Sequence, residues 1–137
     1  MSQEFTRQNE GYSELIYIDS LGHATVGWGT HLYPGRYVPR FILEHLFRAD
    51  YQQAANEVDL RFPALSLVRR DALIDMMYNL GPRRFDGFRN MIDAIHNDDW
   101  DTAAHEALCS LWAKQVKSRA TKIAYMLRFD RYMPGSR

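Results

Sequence analysis

The spacing of apolar residues changes character once along the chain, at Tyr33-Pro34-Gly35, and no other feature narrows the possible architectures as much. Before it, Leu15 to Asp19 is rich in β-branched and aromatic residues. Ser20 to His23 carries the glycine of a turn and Ala24 to Trp28 returns, which is the pattern of a β-hairpin. After it, Phe41, Ile42, Leu46, Ala49 and Ala54 recur at helical spacing, with Pro39 suited to a first helical turn. A small sheet followed by a run of helices makes an α+β protein that is mostly α.

Caps and breakers divide the chain further. Ser2 is the expected cap of a short first helix that ends at Gly11, where glycine accepts the left-handed conformation that closes helices. The helix that Pro39 opens runs to about Leu60 and is stopped by Phe62 and Pro63. Ser66 caps a strongly apolar helix through Leu67, Leu73, Ile74, Met77 and Leu80, closed by Gly81-Pro82. Further helices are expected over roughly 86–96, 99–113 and 118–128, the second opened by Asp98 or Asp99 and the third by Ser118. The 137 residues suit a single domain. Within it, a small lobe and connecting helix occupy about 12–60, and a large helical lobe takes about 61–137 together with helix 2–11.

Composition removes several function classes. No apolar run approaches the roughly 20 residues needed to span a bilayer, and residues 1–8 are polar, without the apolar core of a signal peptide. Synthesis and folding in a reducing cytoplasm are therefore expected. The single cysteine, Cys109, excludes an intrachain disulfide, and its apolar neighbours make it a buried small hydrophobe. Formal charge is zero, yet residues 113–137 hold seven of the 17 basic residues and one acid, Asp130. That is the charge pattern of a solvated helical face, and it favours polyanionic partners. A nucleic-acid role would rest on this charge alone, with no motif that places a recognition helix in a groove, so no nucleic-acid partner is expected.

Chemistry concentrates in residues 9–32, where Glu10 and Asp19 come from different elements, a helix end and a hairpin. Two carboxylates in unlike surroundings suit acid/base work across a cleft. At a helix C-terminus the carbonyl dipoles favour the protonated form of Glu10, the form of a general acid, while turn amides and water keep Asp19 ionised. By itself the pair is weak evidence among 17 acids. Thr25 is a strand threonine whose hydroxyl can accept from and donate to water. His23 and His31 lie near the carboxylates in sequence, but neither His-x-Glu nor paired-helix spacing is present, so no metal and no other cofactor is expected.

In the stretch NEGYSELIYIDSLGHATVGWGTH, Glu10-Gly11, Tyr17, Asp19, Gly22, Thr25, Gly27, Gly29 and His31 occur in the order and spacing of a catalytic segment. It resembles that of the phage-type lysozymes, glycoside hydrolase family 24, to which the lysozyme of the T-even phages belongs. RRDALIDMMYNLG at 69–81, GF at 87, WDTAA at 100 and SLWAKQVKSRATK at 110–122 resemble the family's helical lobe. The resemblance implies a muramidase that cleaves the β-1,4 bond between N-acetylmuramic acid and N-acetylglucosamine in peptidoglycan. Glu10 would be its acid, Asp19 its base or charge stabiliser, and Thr25 the holder of the attacking water. A single displacement inverts the anomeric centre and calls for carboxyl groups roughly 6.5–9.5 Å apart.

The resemblance also places substrate-facing residues. Arg119 falls where the family pairs an arginine with the catalytic glutamate, although it also reads as one more base on a basic helix. Tyr78 and Asn79 would line the cleft, with core packing the rival for Tyr78, and Gln115 either meets the sugar or is a surface amide. Trp100 and Trp112 read as core anchors, and Trp28 has no assigned role. His31 and Asp50 would form an ion pair between hairpin and long helix. Two departures stand out from the T-even form. Thr30 separates Gly29 from His31, and the segment from His31 to Phe47 is shorter, which trims the small lobe.

The implied biology is that of a monomeric endolysin held in the host cytoplasm until a holin lets it reach the wall. A catalytically weak or inactive relative, wall-binding or tail-associated, is the alternative. Residues 113–137 would contact anionic envelope polymers or lipid headgroups.

Overall fold

The computed structural model describes residues 2–135. Among these residues lie eight helices and one three-stranded antiparallel sheet, the mostly helical α+β architecture expected. By internal packing the chain divides into a unit ending at Leu43 and a unit beginning at Glu44.

The N-terminal unit holds α1 (Ser2–Glu10), β1 (Ser13–Ile18), β2 (Ala24–Gly27) and β3 (Thr30–His31). The cap expected at Ser2 concerns a side chain outside those described, but the C-terminus follows expectation. Gly11 has φ +74 and its amide donates to the Arg7 carbonyl at 3.2 Å. β1 pairs with β2 through Tyr17↔Thr25 and Ile18↔Ala24, with an irregularity between Ser13 and Tyr17. The strand β3 has no counterpart in the sequence reading, because two residues are too few to show a period. Thr30 pairs with Val26 and so sets His31 opposite Thr25. Trp28 gains a clear role. Its ring lies 4.5 Å from that of Tyr12 and 4.6 Å from the Arg7 guanidinium, fastening α1 to the β2–β3 turn. Little else is covered here: Leu15, Ile16, Ile18 and Leu21 are exposed, and Thr25 is the one buried residue described.

The chain continues through α2 (Arg40–Arg61), α3 (Leu67–Leu80), α4 (Pro82–Asp86), α5 (Arg89–His96), α6 (Trp100–Leu108), α7 (Leu111–Val116) and α8 (Ser118–Phe129). The hydrophobic core lies in the C-terminal unit. Its centre is α3, where Ala72, Leu73, Ile74, Met76, Met77 and Leu80 are all buried. A helix apolar around most of its circumference is stable only when packed on several sides, and α3 meets both α4 and α8. Buried alanines at 103, 104 and 107 of α6 and at 120 and 124 of α8 let those two helices pack closely. Ser66 caps α3 as expected, its Oγ accepting from Arg69 N at 3.4 Å, and Asp99 caps α6 by accepting from Thr102 N at 3.2 Å.

Several boundaries differ from expectation. The prolyl residue at 82, read as a stop, occupies the first turn of the five-residue α4, where its missing N–H costs nothing. The helix expected over 99–113 is two helices. Cys109 ends α6, and Ser110 starts α7 by accepting from Ala113 N at 3.1 Å. The apolar periodicity carries across that break and hides it. Cys109 is consequently exposed, contrary to its expected burial. It follows His105 by one helical turn on the outer face, with Sγ 3.5 Å from His105 Nε2. Ser118 is the first residue of α8 and not its cap, a place taken by Lys117 at φ +52.

Trp112 is 4% exposed, a core anchor as expected, and Trp100 is partly buried beneath the Arg69 guanidinium at 4.1 Å. No helix of the described residues is long and apolar enough to cross a membrane.

Candidate active site

The N-terminal unit brings Glu10, Asp19 and Thr25 onto one short framework, the β2–β3 hairpin and its neighbours. Gly27 (φ +65) and Gly29 (φ +78) bracket Trp28 in the turn, a backbone that residues with a Cβ adopt only under strain. Gly29 has a second reason to be glycine. A methyl placed on it would stand 2.6 Å from Glu10 Oε2 and 3.2 Å from Cδ, so the carboxyl occupies the space that a side chain would take. The last residue of α1 is thereby seated on the turn. The Arg7–Trp28–Tyr12 stack holds the helix that carries it.

Asp19 closes the β1–β2 turn with one oxygen and leaves the other outward. Its Oδ1 accepts from Leu21 N at 2.9 Å and His23 N at 2.8 Å, while its own amide donates to the His23 carbonyl at 2.9 Å. Oδ2 faces two imidazoles, His31 Nε2 at 3.3 Å and His23 Nδ1 at 3.5 Å. The hydrogen bond from the His23 amide, then that from Leu21 and the two nearby histidines, hold the carboxyl below the usual aspartate range against the opposing effect of burial. An ionised Asp19 agrees with the sequence expectation.

Thr25 is 2% exposed and donates its hydroxyl hydrogen to the His23 carbonyl at 2.9 Å. With that hydrogen committed, Oγ1 is left as an acceptor. His31, on the neighbouring strand, stands opposite Thr25 and beside Asp19, and its carbonyl accepts from Arg36 Nη1. His23 was given no site role by the sequence. Its contribution comes from an aspartate that turns the chain back onto its own fourth neighbour, and Asp-x-x-Gly-His is the local signal for that turn.

The remaining candidate residues lie in the C-terminal unit. Tyr78, in the last turn of α3, is 41% exposed and its ring lies 5.7 Å from that of Phe47. It is therefore neither fully core nor free surface, and it lines a hollow with Asp50, Glu57 and Met77. Asn79 has a structural task that the sequence did not reveal, its Oδ1 accepting from the buried Trp112 Nε1 at 2.8 Å. Gln115 is exposed on α7. Arg119, in the first turn of α8, forks onto Asp75 with contacts of 2.7 and 2.9 Å, and this hydrogen-bonded pairing keeps its guanidinium firmly charged.

A carboxyl seated on a glycine turn, an ionised aspartate and a hydroxyl thus lie in one small unit. The family model described as phage lysozyme matches residues 7–126. The chain belongs to the phage lysozyme family. The match takes in the end of α1, the whole sheet and the helices through most of α8. Membership gives the enzyme class, since lysozymes are glycosidases that act on bacterial peptidoglycan, and so gives a wall polymer as the substrate.

Proposed function

We propose that this chain is an endolysin that cleaves the β-1,4 bond between N-acetylmuramic acid and N-acetylglucosamine by an inverting single displacement. The observation that carries the proposal is the Glu10 carboxyl held against Gly29, in the same unit as an ionised Asp19 and the Thr25 hydroxyl. Glu10 gives its proton to the glycosidic oxygen as the C–O bond breaks. A water on the opposite face of the sugar, hydrogen-bonded to Thr25 Oγ1, adds to the anomeric carbon and loses its proton to Asp19. Because Thr25 has donated its own hydrogen to His23, it can only accept from that water, which fixes one of the water's hydrogens and turns a lone pair toward the sugar. Solvent then returns a proton to Glu10 and takes one from Asp19.

Tyr78 and Gln115 offer an aromatic face and an amide to the sugar or its peptide. Asn79 contributes through the amide hydrogens left free by its bond to Trp112, and Arg119 presents a charge oriented by Asp75. The biological role that goes with this chemistry is lysis of the infected host, with storage in its cytoplasm and release to the wall by a holin.

Permeabilised cells test the proposal. Purified protein should clear their turbidity, and Glu10→Gln should reduce the rate by a hundredfold or more at unchanged melting temperature, within the range ascribed to general-acid groups of about 10²–10⁴. The released sugar should appear first as the inverted anomer by proton NMR. Absence of clearing by the wild type would favour a wall-binding relative that has lost activity, and a retained anomer would reject the single displacement.

A further inference from the structure

We propose that Asp19, His23 and His31 form a binding site for a divalent transition-metal ion with the ligand preference of zinc, and that filling it removes Asp19 from the hydrolytic centre. The second half rests on the function proposed above, while the first does not. The three residues each offer one ligand atom, and these atoms all lie within 4.8 Å of one another. Two imidazoles and one carboxylate make a donor set suited to zinc and to other first-row divalent ions.

The distances suit a metal as ligand-to-ligand edges. Charge-assisted N–H···O contacts are about 2.7–2.9 Å long, whereas His31 Nε2 and His23 Nδ1 stand 3.3 and 3.5 Å from the same Asp19 oxygen. Tetrahedral ligands at about 2.0–2.1 Å from zinc are separated by about 3.3 Å, which fits both edges. Closing the remaining edge between the imidazoles, from at most 4.8 Å to that value, requires about 1.5 Å of movement. Both rings are about half exposed, at 53% and 47%, and can rotate to supply it. Their centroids already lie 4.9 Å apart. Exposure also leaves a fourth position to water, and both rings border a groove formed with Ile18, Leu32 and Pro34.

The orientation of Asp19 is preset. Its Oδ1 is held by two backbone amides, so Oδ2 is the oxygen left for a ligand, and hydrogen bonds of that kind fix the direction of a ligating carboxylate. The same oxygen is the one available to accept a proton from water during hydrolysis. A metal on Oδ2 and a base at Asp19 therefore exclude each other.

The test uses zinc chloride on chelator-treated full-length protein, followed by isothermal titration calorimetry, with cobalt(II) absorption as a second probe. We expect one ion per chain at micromolar affinity, the visible bands of four- or five-coordinate cobalt, and at least a tenfold loss of affinity in His23→Gln and in His31→Gln. Unchanged melting temperatures of both variants without metal would show that they fold. Binding that persists in both variants, or no binding by the wild type, overturns the site. The same zinc concentrations should slow turbidity clearing by the wild type, reversibly with chelator, and leave His23→Gln unaffected. Zinc bound at this site with no effect on clearing overturns the exclusion of Asp19. Calorimetry uses no wall substrate, so failure of the metal site and failure of the hydrolase proposal give different results.

Discussion

Replacing Gly29 with alanine separates the two demands made on that position. The first is conformational: at φ +78 a residue with a Cβ costs about 1–2 kcal/mol, offset by about 0.4–1 kcal/mol from the stiffer unfolded chain. A net loss near 1 kcal/mol lowers the melting temperature by about 3–6 °C for a chain of this size. The second demand is spatial. The new methyl would stand 2.6 Å from Glu10 Oε2, and ordinary contact begins at 3.4 Å, so the oxygen must retreat by 0.8 Å or more (3.4 minus 2.6). That retreat is inexpensive for stability, because the end of a glutamate side chain can rotate away. It is expensive for catalysis, where a displacement of about 1 Å costs about 10²-fold in rate. Gly35→Ala is the control. It has the same kind of backbone, φ +86, with nothing within 4 Å of the added methyl. Turbidity clearing and thermal unfolding should show both variants destabilised alike and only Gly29→Ala slowed about a hundredfold. Equal clearing rates for the two, at a temperature where both are folded, would refute the claim that the Glu10 position on the turn matters to the reaction.

Other expectations follow from the same geometry. Asn79→Ala leaves the indole N–H of the buried Trp112 without its acceptor and should lower urea stability by about 1–3 kcal/mol, seen as a shifted midpoint with unchanged slope. Asp59, Asp86 and Asp99 are held below the ordinary aspartate range, the first two by Arg70 and Arg61 and the third by hydrogen bonds from Thr102. Depressed folded-state values mean that the unfolded chain binds more protons. The stability they add is therefore complete above about pH 5 and lost as pH falls further, and Asp86→Asn should flatten that acid limb in urea titrations. Reversing Lys114, Lys117 and Lys122 to glutamate should slow lysis at low salt. The difference should vanish near 1 M salt, where the screening length is about 3 Å, and equal rates at low salt would remove the basic C-terminal segment from wall recognition.

What the sequence disclosed depended on how far each signal extends along the chain. The hairpin, α3 with its Ser66 cap, and the Gly11 stop are carried by period, cap chemistry and glycine conformation, which act over a few neighbouring residues. The break between α6 and α7 was hidden because Ala103, Ala107 and Trp112 continue one apolar pattern across a serine cap. Thr30–His31 was hidden because its pairing partners are the only evidence for a two-residue strand. At the site, Glu10, Asp19 and Thr25 stood out as a spaced pattern. The reason for Gly29 did not, since it is a contact with a residue 19 positions away. The bond from Trp112 to Asn79 and the Asp75 fork on Arg119 were hidden for the same reason, because hydrogen bonds between helices leave no period in the sequence.

Mass spectrometry of peptidoglycan digests, after reduction of the newly formed ends, tests the central claim most directly. The wild type should release fragments with reduced muramic acid at their ends, and Glu10→Gln, equally folded, should release none. Reduced glucosamine ends from the wild type, or undiminished muramic ends from Glu10→Gln, would contradict the assignment of that bond and of that acid.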